Sequence, residues 1–276
     1  MLATAAGAYA VLLTAVWLFQ AQLLYFPSVD RGNPATPASL RFAFESVRIP
    51  TPDGETLDAW YVPAPRARGA ALFLHGNAGS IAHRLDWLPL FRELAFDTLL
   101  IDYRGYGKST GRPSEEGTYA DAQAAWDYLT RRRGFAPKRI AVFGESLGGA
   151  VAADLASRTA PGALILMSTF TSVPDLAAEL YPWLPARALA RFDYDTLGKL
   201  GAIASPVLIA HSRDDEIIPF RHGERLFEAA NEPKVFLELA GGHNEGFIFV
   251  RRDWSERLGT FLDQFFPGDG LSGDGW

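Results

Sequence analysis

The chain has 276 residues, of which 48% are apolar and 21% are charged, with a formal net charge of −6 and no cysteine. This composition is typical of a folded protein large enough for one α/β domain, and the mixed charges exclude an extended basic surface for nucleic acid. The absence of cysteine excludes disulfides, thiolate nucleophiles and cysteine-based metal sites, and it leaves the redox compartment open.

Residues 1–26 carry no charged side chain. Such a run is long enough to cross a bilayer as a helix, which needs about 20 residues, and Trp17 and Tyr25 would then lie near one interface. We therefore expect a single-pass membrane anchor; a cleaved signal sequence and a buried core helix are the alternatives. Arg31 and Arg41 follow the run and no basic residue precedes it, which favours a cytoplasmic domain but leaves the side open.

Residues 27–40 are rich in proline, glycine and asparagine and are interpreted as a linker. Apolar and polar residues then alternate over 41–49 and 56–62, on either side of a Thr-Pro-Asp-Gly turn, which predicts an antiparallel hairpin.

From residue 70 onward, apolar strand patterns alternate with helical patterns. The predicted strands are Ala70–Leu74, Thr98–Ile101, Ile140–Phe143, Ala163–Met167, Val207–Ala210 and Val235–Leu239. The predicted helices are Ile81–Leu94, Thr118–Arg133, Leu147–Ser157, Arg221–Ala230 and Gly246–Phe265. This alternation predicts an α/β domain over 41–267 with a mostly parallel sheet of about eight strands and helices on both faces. Residues 268–276 are predicted to form a flexible tail.

The pentapeptide Gly144-Glu145-Ser146-Leu147-Gly148 has the G-x-S-x-G pattern of a nucleophile elbow. It follows a predicted strand and opens a predicted helix, and this strand–turn–helix context favours a true nucleophile elbow over a chance match. A tight turn here would force strained dihedral angles on Ser146, and the flanking glycines would remove Cβ clashes. Ser146 is therefore the candidate nucleophile.

A serine nucleophile needs a base, an acid that orients the base, and donors for an oxyanion. In elbow folds the acid and then the histidine follow the serine in the chain. The acid loop after Val207–Ala210 offers Asp214 and Asp215, and the paired glycines before His243 let that imidazole turn towards the serine. The backbone N–H groups of the HGNAG stretch at 75–79 and of Leu147 are the candidate oxyanion donors.

Other polar residues are expected to be structural. His75 and His211 lie at predicted strand ends, and His75 also precedes the serine, which is the wrong order for the base. His222 and Glu216 are expected to be solvated. Asp102 and Arg104 are expected to brace the fold as an ion pair. No spacing of histidine and carboxylate residues indicates a metal, and no cofactor is expected.

Residues 169–204 form an excursion that is predicted to be a short lid. Tyr181, Trp183 and Leu184 within it are the candidate apolar wall for a substrate, with a plain packing helix as the alternative.

Five motifs together resemble one family. They are HGNAG at 75–79, DYRGYGKS at 102–109, GESLGG at 144–149, SPVLIAHSRDDEIIPF at 205–220 and GGHN at 241–244. With these motifs the chain resembles serine hydrolases of the α/β-hydrolase fold, close to the membrane-anchored Bem46-like and ABHD13- and ABHD17-like group. The resemblance implies Ser146 as nucleophile, Asp215 as acid, His243 as base, and Asn77 with Leu147 as oxyanion donors. The chain departs from the family pattern at Ser212, where a glycine is usual.

The predicted function is cleavage of a carboxylic ester or thioester, lipid-like or protein-borne, through an acyl-enzyme. An amidase or peptidase with the same triad is one alternative, because the motifs do not separate acyl oxygen from acyl nitrogen. A non-catalytic scaffold tethered to a membrane is the other. No nucleic-acid partner is expected.

Overall fold

The computed structural model describes residues 1–27, 34–244 and 252–267. The predicted tail at 268–276, part of the predicted linker and the first part of the last predicted helix lie outside the described residues.

An eight-stranded sheet forms the centre of the protein. Its strands are β1 (Glu45–Pro50), β2 (Thr56–Val62), β3 (Gly69–Leu74), β4 (Phe96–Ile101), β5 (Ile140–Glu145), β6 (Ala163–Met167), β7 (Val207–Ser212) and β8 (Lys234–Leu239). They lie in the order β1-β2-β4-β3-β5-β6-β7-β8, and β2 is antiparallel to both of its neighbours. The remaining pairs are parallel. The prediction of a mostly parallel sheet with a first antiparallel hairpin is confirmed.

Helices flank this sheet along the chain. Those described are α1 (Leu2–Leu18), α2 (Gln20–Leu24), α3 (Trp87–Glu93), α4 (Glu115–Asp127), α5 (Leu147–Arg158), α6 (Val173–Leu180), α7 (Ala186–Leu189), α8 (Thr196–Leu200), α9 (Arg221–Ala229) and α10 (Arg252–Asp263). Three-residue to four-residue 3₁₀ turns lie at Pro37–Leu40, Ile81–His83 and Pro137–Arg139, and a π-helical turn extends α4 over Tyr128–Arg132. Residues 169–204, which are predicted to be a lid and are called the lid segment for that reason, hold three short helices, α6 to α8.

The core has two parts because side chains alternate between the faces of a strand. Along β3, Leu72 and Leu74 join the cluster that contains α4 and α5, whereas Phe73 joins the cluster that contains α3 and α10. All six residues of β3 are buried. The sheet is therefore covered on both faces, as the uninterrupted apolar pattern predicts.

The single helix predicted over Ile81–Leu94 is wrong. The structure has a short 3₁₀ turn and then α3, which begins at Trp87. Pro89 gives the physical reason, because proline has no N–H and its ring clashes with the carbonyl four residues earlier, here that of Leu85. Proline is tolerated only in the first turn, so the α-helix starts just before it.

The N-terminal segment consists of α1, a break at Phe19, and α2. No residue of α1 is buried, and Trp17 is 45% exposed. Among residues 1–27, 34–244 and 252–267, no helix combines the length and apolarity needed to cross a membrane. The expectation that Tyr25 lies with Trp17 at a membrane interface is wrong, because Tyr25 is buried in the hydrophobic core.

Candidate active site

The turn between β5 and α5 has the strained geometry that its sequence predicts. Ser146 has φ 54° and ψ −119°, a conformation that L-residues rarely adopt. A Cβ on Gly148 would overlap the carbonyl oxygen of Leu74 and lie 2.6 Å from that of His75. A Cβ on Gly144 would lie 2.6 Å from the Cα of Gly149. The glycines therefore let the elbow form against the end of β3.

Ser146, His243 and Asp215 are in hydrogen-bond contact. The Nε2 atom of His243 lies 3.1 Å from Oγ of Ser146, and its Nδ1 atom lies 2.8 Å from Oδ2 of Asp215. A carboxylate can only accept at that position, so Nδ1 carries the proton and Nε2 is left to accept the serine hydroxyl proton. This geometry can remove a proton from Ser146.

Asp215, and not Asp214, faces the imidazole. Its other oxygen, Oδ1, accepts the backbone N–H groups of Ile217 at 3.0 Å and Ile218 at 2.7 Å. Burial raises the pKa of Asp215, but the hydrogen bonds from His211, His243 and Ile218 outweigh burial and hold the pKa well below its usual value. The carboxylate is therefore fixed in orientation and ionised at neutral pH.

One candidate oxyanion donor, Leu147, belongs to the elbow, and the other, Asn77, belongs to the loop that follows β3. Leu147 is the first residue of α5, so helix geometry leaves its N–H without an acceptor inside the helix. The HGNAG loop, which we call the oxyanion loop (residues 75–79), runs beside Ser146, and a Cβ on Gly76 would lie 3.4 Å from that of Ser146. Arg84 links the elbow to the oxyanion loop, since it pairs with Glu145 at 3.1 Å and donates to the Ala78 carbonyl at 3.2 Å.

His75 lies behind the oxyanion loop and is buried. Its Nδ1 atom lies 2.6 Å from the Gly76 carbonyl oxygen and its Nε2 atom 3.6 Å from Oδ1 of Asp102. Burial, together with the nearby Arg84 cation, lowers the pKa of His75 to about 3, and burial raises the pKa of Asp102 to about 7. His75 is thus a neutral residue that supports the loop, which agrees with its predicted structural role.

The predicted Asp102–Arg104 pair does not form. Arg104 donates to Asp121 at 3.0 Å and 2.8 Å and to Asp53 at 2.6 Å. Asp102 instead accepts the Ile81 N–H at 2.8 Å. Each side chain instead finds partners in distant segments: Arg104 bonds Asp53 and Asp121, and Asp102 bonds the backbone of the 3₁₀ turn that begins at Ile81.

Two further residues differ from the sequence expectation. His222 is buried and not solvent-facing, and its Nδ1 atom lies 3.1 Å from the Thr171 backbone nitrogen. Glu216 is exposed, but its carboxylate accepts the backbone N–H of His243 at 2.9 Å. A Cβ on Gly242 would lie 2.6 Å from the same carboxylate. In the sequence, the Gly-Gly pair before His243 is the feature that indicates a close approach of another group to the backbone, but it does not identify that group as Glu216.

The residues predicted as a substrate wall lie in the lid segment. Tyr181 is 48% exposed and Trp183 58% exposed, and their rings pack edge to face at 6.4 Å. The Trp183 carbonyl accepts the Tyr9 hydroxyl of α1 at 2.9 Å. Leu184 is partly buried. The described contacts of these side chains do not include the Ser146, His243 or Asp215 side chains.

A family profile described as alpha/beta hydrolase fold matches residues 71–198. The α/β hydrolase domain-containing protein WAV2 of Arabidopsis thaliana is 37% identical over 90% of this chain and 89% of its own length. Protein bem46 of Schizosaccharomyces pombe is 35% identical over 74% of this chain and 72% of its own length. The human α/β hydrolase domain-containing protein 17B is 34% identical, covering 80% and 76%.

Among solved structures, an esterase from Pyrococcus furiosus superposes with a TM-score of 0.73, covering 88% of this chain and 98% of that chain at 20% identity. That likeness concerns the fold. The sequence relatives decide the family: the chain belongs to the α/β-hydrolase superfamily. Within the superfamily it is a Bem46-like α/β hydrolase, as the resemblance of the five motifs implies.

Proposed function

We propose that this α/β hydrolase is a serine hydrolase that cleaves carboxylic esters or thioesters through an acyl-enzyme. The observation that carries the proposal is the 3.1 Å approach of the His243 Nε2 atom to the Ser146 hydroxyl, with Asp215 at 2.8 Å behind the ring. A scaffold that only binds partners does not require a strained serine aligned with a base and a buried, ionised acid.

The residues would act in two half-reactions. Ser146 Oγ attacks the acyl carbonyl carbon while His243 Nε2 takes the hydroxyl proton, and Asp215 stabilises the imidazolium. The N–H groups of Asn77 and Leu147 meet the oxyanion. When the C–O or C–S bond breaks, His243 returns the proton to the departing alcohol or thiol. Water then attacks the acyl-enzyme with His243 as base and releases the acid.

Labelling with a fluorophosphonate tests the proposal directly, because the reagent phosphonylates an activated serine. We expect labelling of the wild-type chain and none of Ser146→Ala. Ser157→Ala is the matched control, since Ser157 lies on α5, the helix that Ser146 precedes, and its hydroxyl bonds locally to the Asp154 carbonyl at 2.8 Å. Labelling that persists in Ser146→Ala would refute Ser146 as nucleophile. A folded wild-type chain that is not labelled would favour the scaffold.

The choice between acyl oxygen, sulfur and nitrogen is made with matched substrates. We expect a p-nitrophenyl ester and a thioester of one acyl group to be cleaved at least about 100-fold faster than the corresponding anilide, because the amine is the poorer leaving group. Comparable rates on the anilide would support the amidase alternative.

The same proposal includes contact with a lipid surface through α1. This helix is apolar, uncharged and without a buried residue, so it exposes a surface that water solvates poorly. We expect Val11→Glu, at a position that is 70% exposed, to reduce co-sedimentation with phosphatidylcholine vesicles. Gln264→Glu adds the same charge elsewhere and should have no effect; equal binding by both variants would contradict this part of the proposal.

A further inference from the structure

Three residues of the N-terminal segment, Leu24 to Phe26, pair with the oxyanion loop. We call them the clasp. The Asn77 side-chain amide donates to the Leu24 carbonyl at 3.0 Å, and the Phe26 N–H donates to the Asn77 carbonyl at 2.9 Å. The Gly79 N–H donates to the Phe26 carbonyl at 3.3 Å, and Phe26 forms a parallel β-bridge with Ala78. The clasp therefore bonds the loop at three points, much as an edge strand would.

The clasp is itself held in the protein core. The Tyr25 side chain is 5% exposed, and its hydroxyl lies 2.8 Å from that of Tyr194. The Tyr194 hydroxyl in turn lies 2.9 Å from the Thr118 hydroxyl, and the Tyr25 ring packs edge to face on Phe192 at 5.5 Å. Because side chains of an extended segment alternate, a buried Tyr25 fixes the register of its neighbours' peptide groups against the loop.

Asn77 is the residue of the loop whose backbone N–H is the proposed oxyanion donor. Its carbonyl accepts from both Phe26 N–H and the Tyr106 hydroxyl, the latter at 2.8 Å, and its side chain is bonded to Leu24. The body of the domain thus supplies one of these three bonds, and the clasp supplies two. Donors for an oxyanion stabilise the transition state only when they are held in place beforehand.

We propose that the clasp, Leu24–Phe26, is a positioning element of the active site: by bonding the Asn77 carbonyl and side chain, it holds this residue so that its own N–H is placed to receive the oxyanion. This inference rests on the proposed function and deepens it. Because the oxyanion bond forms in the transition state and not with bound substrate, a loosened clasp lowers kcat and leaves KM nearly unchanged.

The test compares Phe26→Pro with Phe26→Ala in the full chain. Both remove the ring, which is 41% exposed, but only proline removes the N–H that bonds Asn77. Tyr25 has φ −109° and ψ 126°, a conformation that a following proline permits. We expect kcat on a short p-nitrophenyl ester to fall about tenfold or more in Phe26→Pro, with KM within about twofold, and to stay near wild type in Phe26→Ala.

A second variant reports independently on the same contact. Asn77→Leu keeps the backbone donor and removes the side-chain bond to Leu24, so we expect the same selective loss in kcat. Hydrogen exchange of the Gly79 amide gives a readout that needs no substrate, and it should be faster in Phe26→Pro than in Phe26→Ala.

Equal kcat and equal Gly79 exchange in the two Phe26 variants would overturn the positioning role of the clasp. If Phe26→Pro does not fold, a wild-type kcat in Asn77→Leu would overturn it. The proposed function fails separately, if Ser146→Ala keeps the wild-type rate or if the wild type neither hydrolyses nor is labelled. In that last case the exchange comparison alone supports or overturns the clasp.

Discussion

Replacing Asp215 by asparagine is expected to reverse the tautomer of His243. The asparagine oxygen keeps the position of Oδ1, because the N–H groups of Ile217 and Ile218 require an acceptor there, at 3.0 Å and 2.7 Å. Its NH₂ group then takes the position of Oδ2, which lies 2.8 Å from Nδ1 of His243. Two donors cannot face each other, so Nδ1 becomes the acceptor and the ring proton moves to Nε2.

A proton on Nε2 points at the Ser146 hydroxyl, 3.1 Å away, and prevents the imidazole from accepting the serine proton. Loss of the correct tautomer in a comparable triad lowers kcat by about 10⁴-fold, which corresponds to about 5.5 kcal/mol in the activation free energy. We expect an effect of that order, with KM changed little because ground-state binding of substrate does not involve Asp215.

Asp214→Asn is the matched control. Asp214 is exposed, and its described hydrogen bond is from its backbone N–H to Ser212 Oγ at 3.1 Å, which the substitution leaves intact. Steady-state kinetics on one activated ester, with circular dichroism to verify folding, measure both variants. A kcat of Asp215→Asn above about a tenth of the wild-type value, or an equal loss in Asp214→Asn, would refute the expected change of tautomer.

Three further predictions test the structure. Folding raises the pKa of Asp102 to about 7, so its contribution to stability is present below the unfolded pKa of about 3.9 and is lost as pH rises through 7. Asp102→Asn cannot ionise, so its free energy of unfolding, measured with urea, should exceed that of wild type by up to about 4 kcal/mol above about pH 8 and by little near pH 4. A difference that does not depend on pH would contradict the raised pKa of Asp102. Gly148→Ala should melt far below wild type or fail to fold, because its Cβ overlaps backbone of β3, whereas Gly201→Ala, with open space around it, should match wild type or gain about 0.4–1 kcal/mol. Trp183→Ala should lower kcat/KM about fivefold on a long-chain ester and leave an acetyl ester unchanged, and equal losses on both would exclude a substrate wall.

Much of the fold is predictable because its signals are local. The apolar runs that precede Ser146 and His243 have the length of buried strands, and β6 begins and ends at the predicted residues, Ala163 and Met167. The glycines of the elbow predict a tight turn because no side chain fits where Gly148 meets β3. The structure departs from the helix predicted over 81–94 because Pro89 is tolerated only in the first turn of an α-helix, so α3 begins at Trp87.

The environment of the site was harder to predict because it is made by contacts between distant segments. Asp214 and Asp215 are equivalent as residue types. In the structure Asp215 bonds His243 and accepts the Ile217 and Ile218 N–H groups, whereas Asp214 is exposed. Glu216 was expected to be only solvated, yet it bonds the backbone of His243, which follows it by 27 residues. Nothing in either local sequence indicates that partner.

By itself, the sequence of this protein determined the elements and their order: strand, glycine-rich turn and helix around Ser146, followed by an acid loop and a histidine loop after later strands. These follow from propensities and steric limits of residues close together in the chain, which act before any long-range packing. The tertiary structure alone decided that Asp215 faces the imidazole and that Tyr25 belongs to the hydrolase core, with its neighbours bonded to the oxyanion loop. Such contacts depend on how the sheet and helices pack, and side-chain direction at the end of a strand is set by that packing.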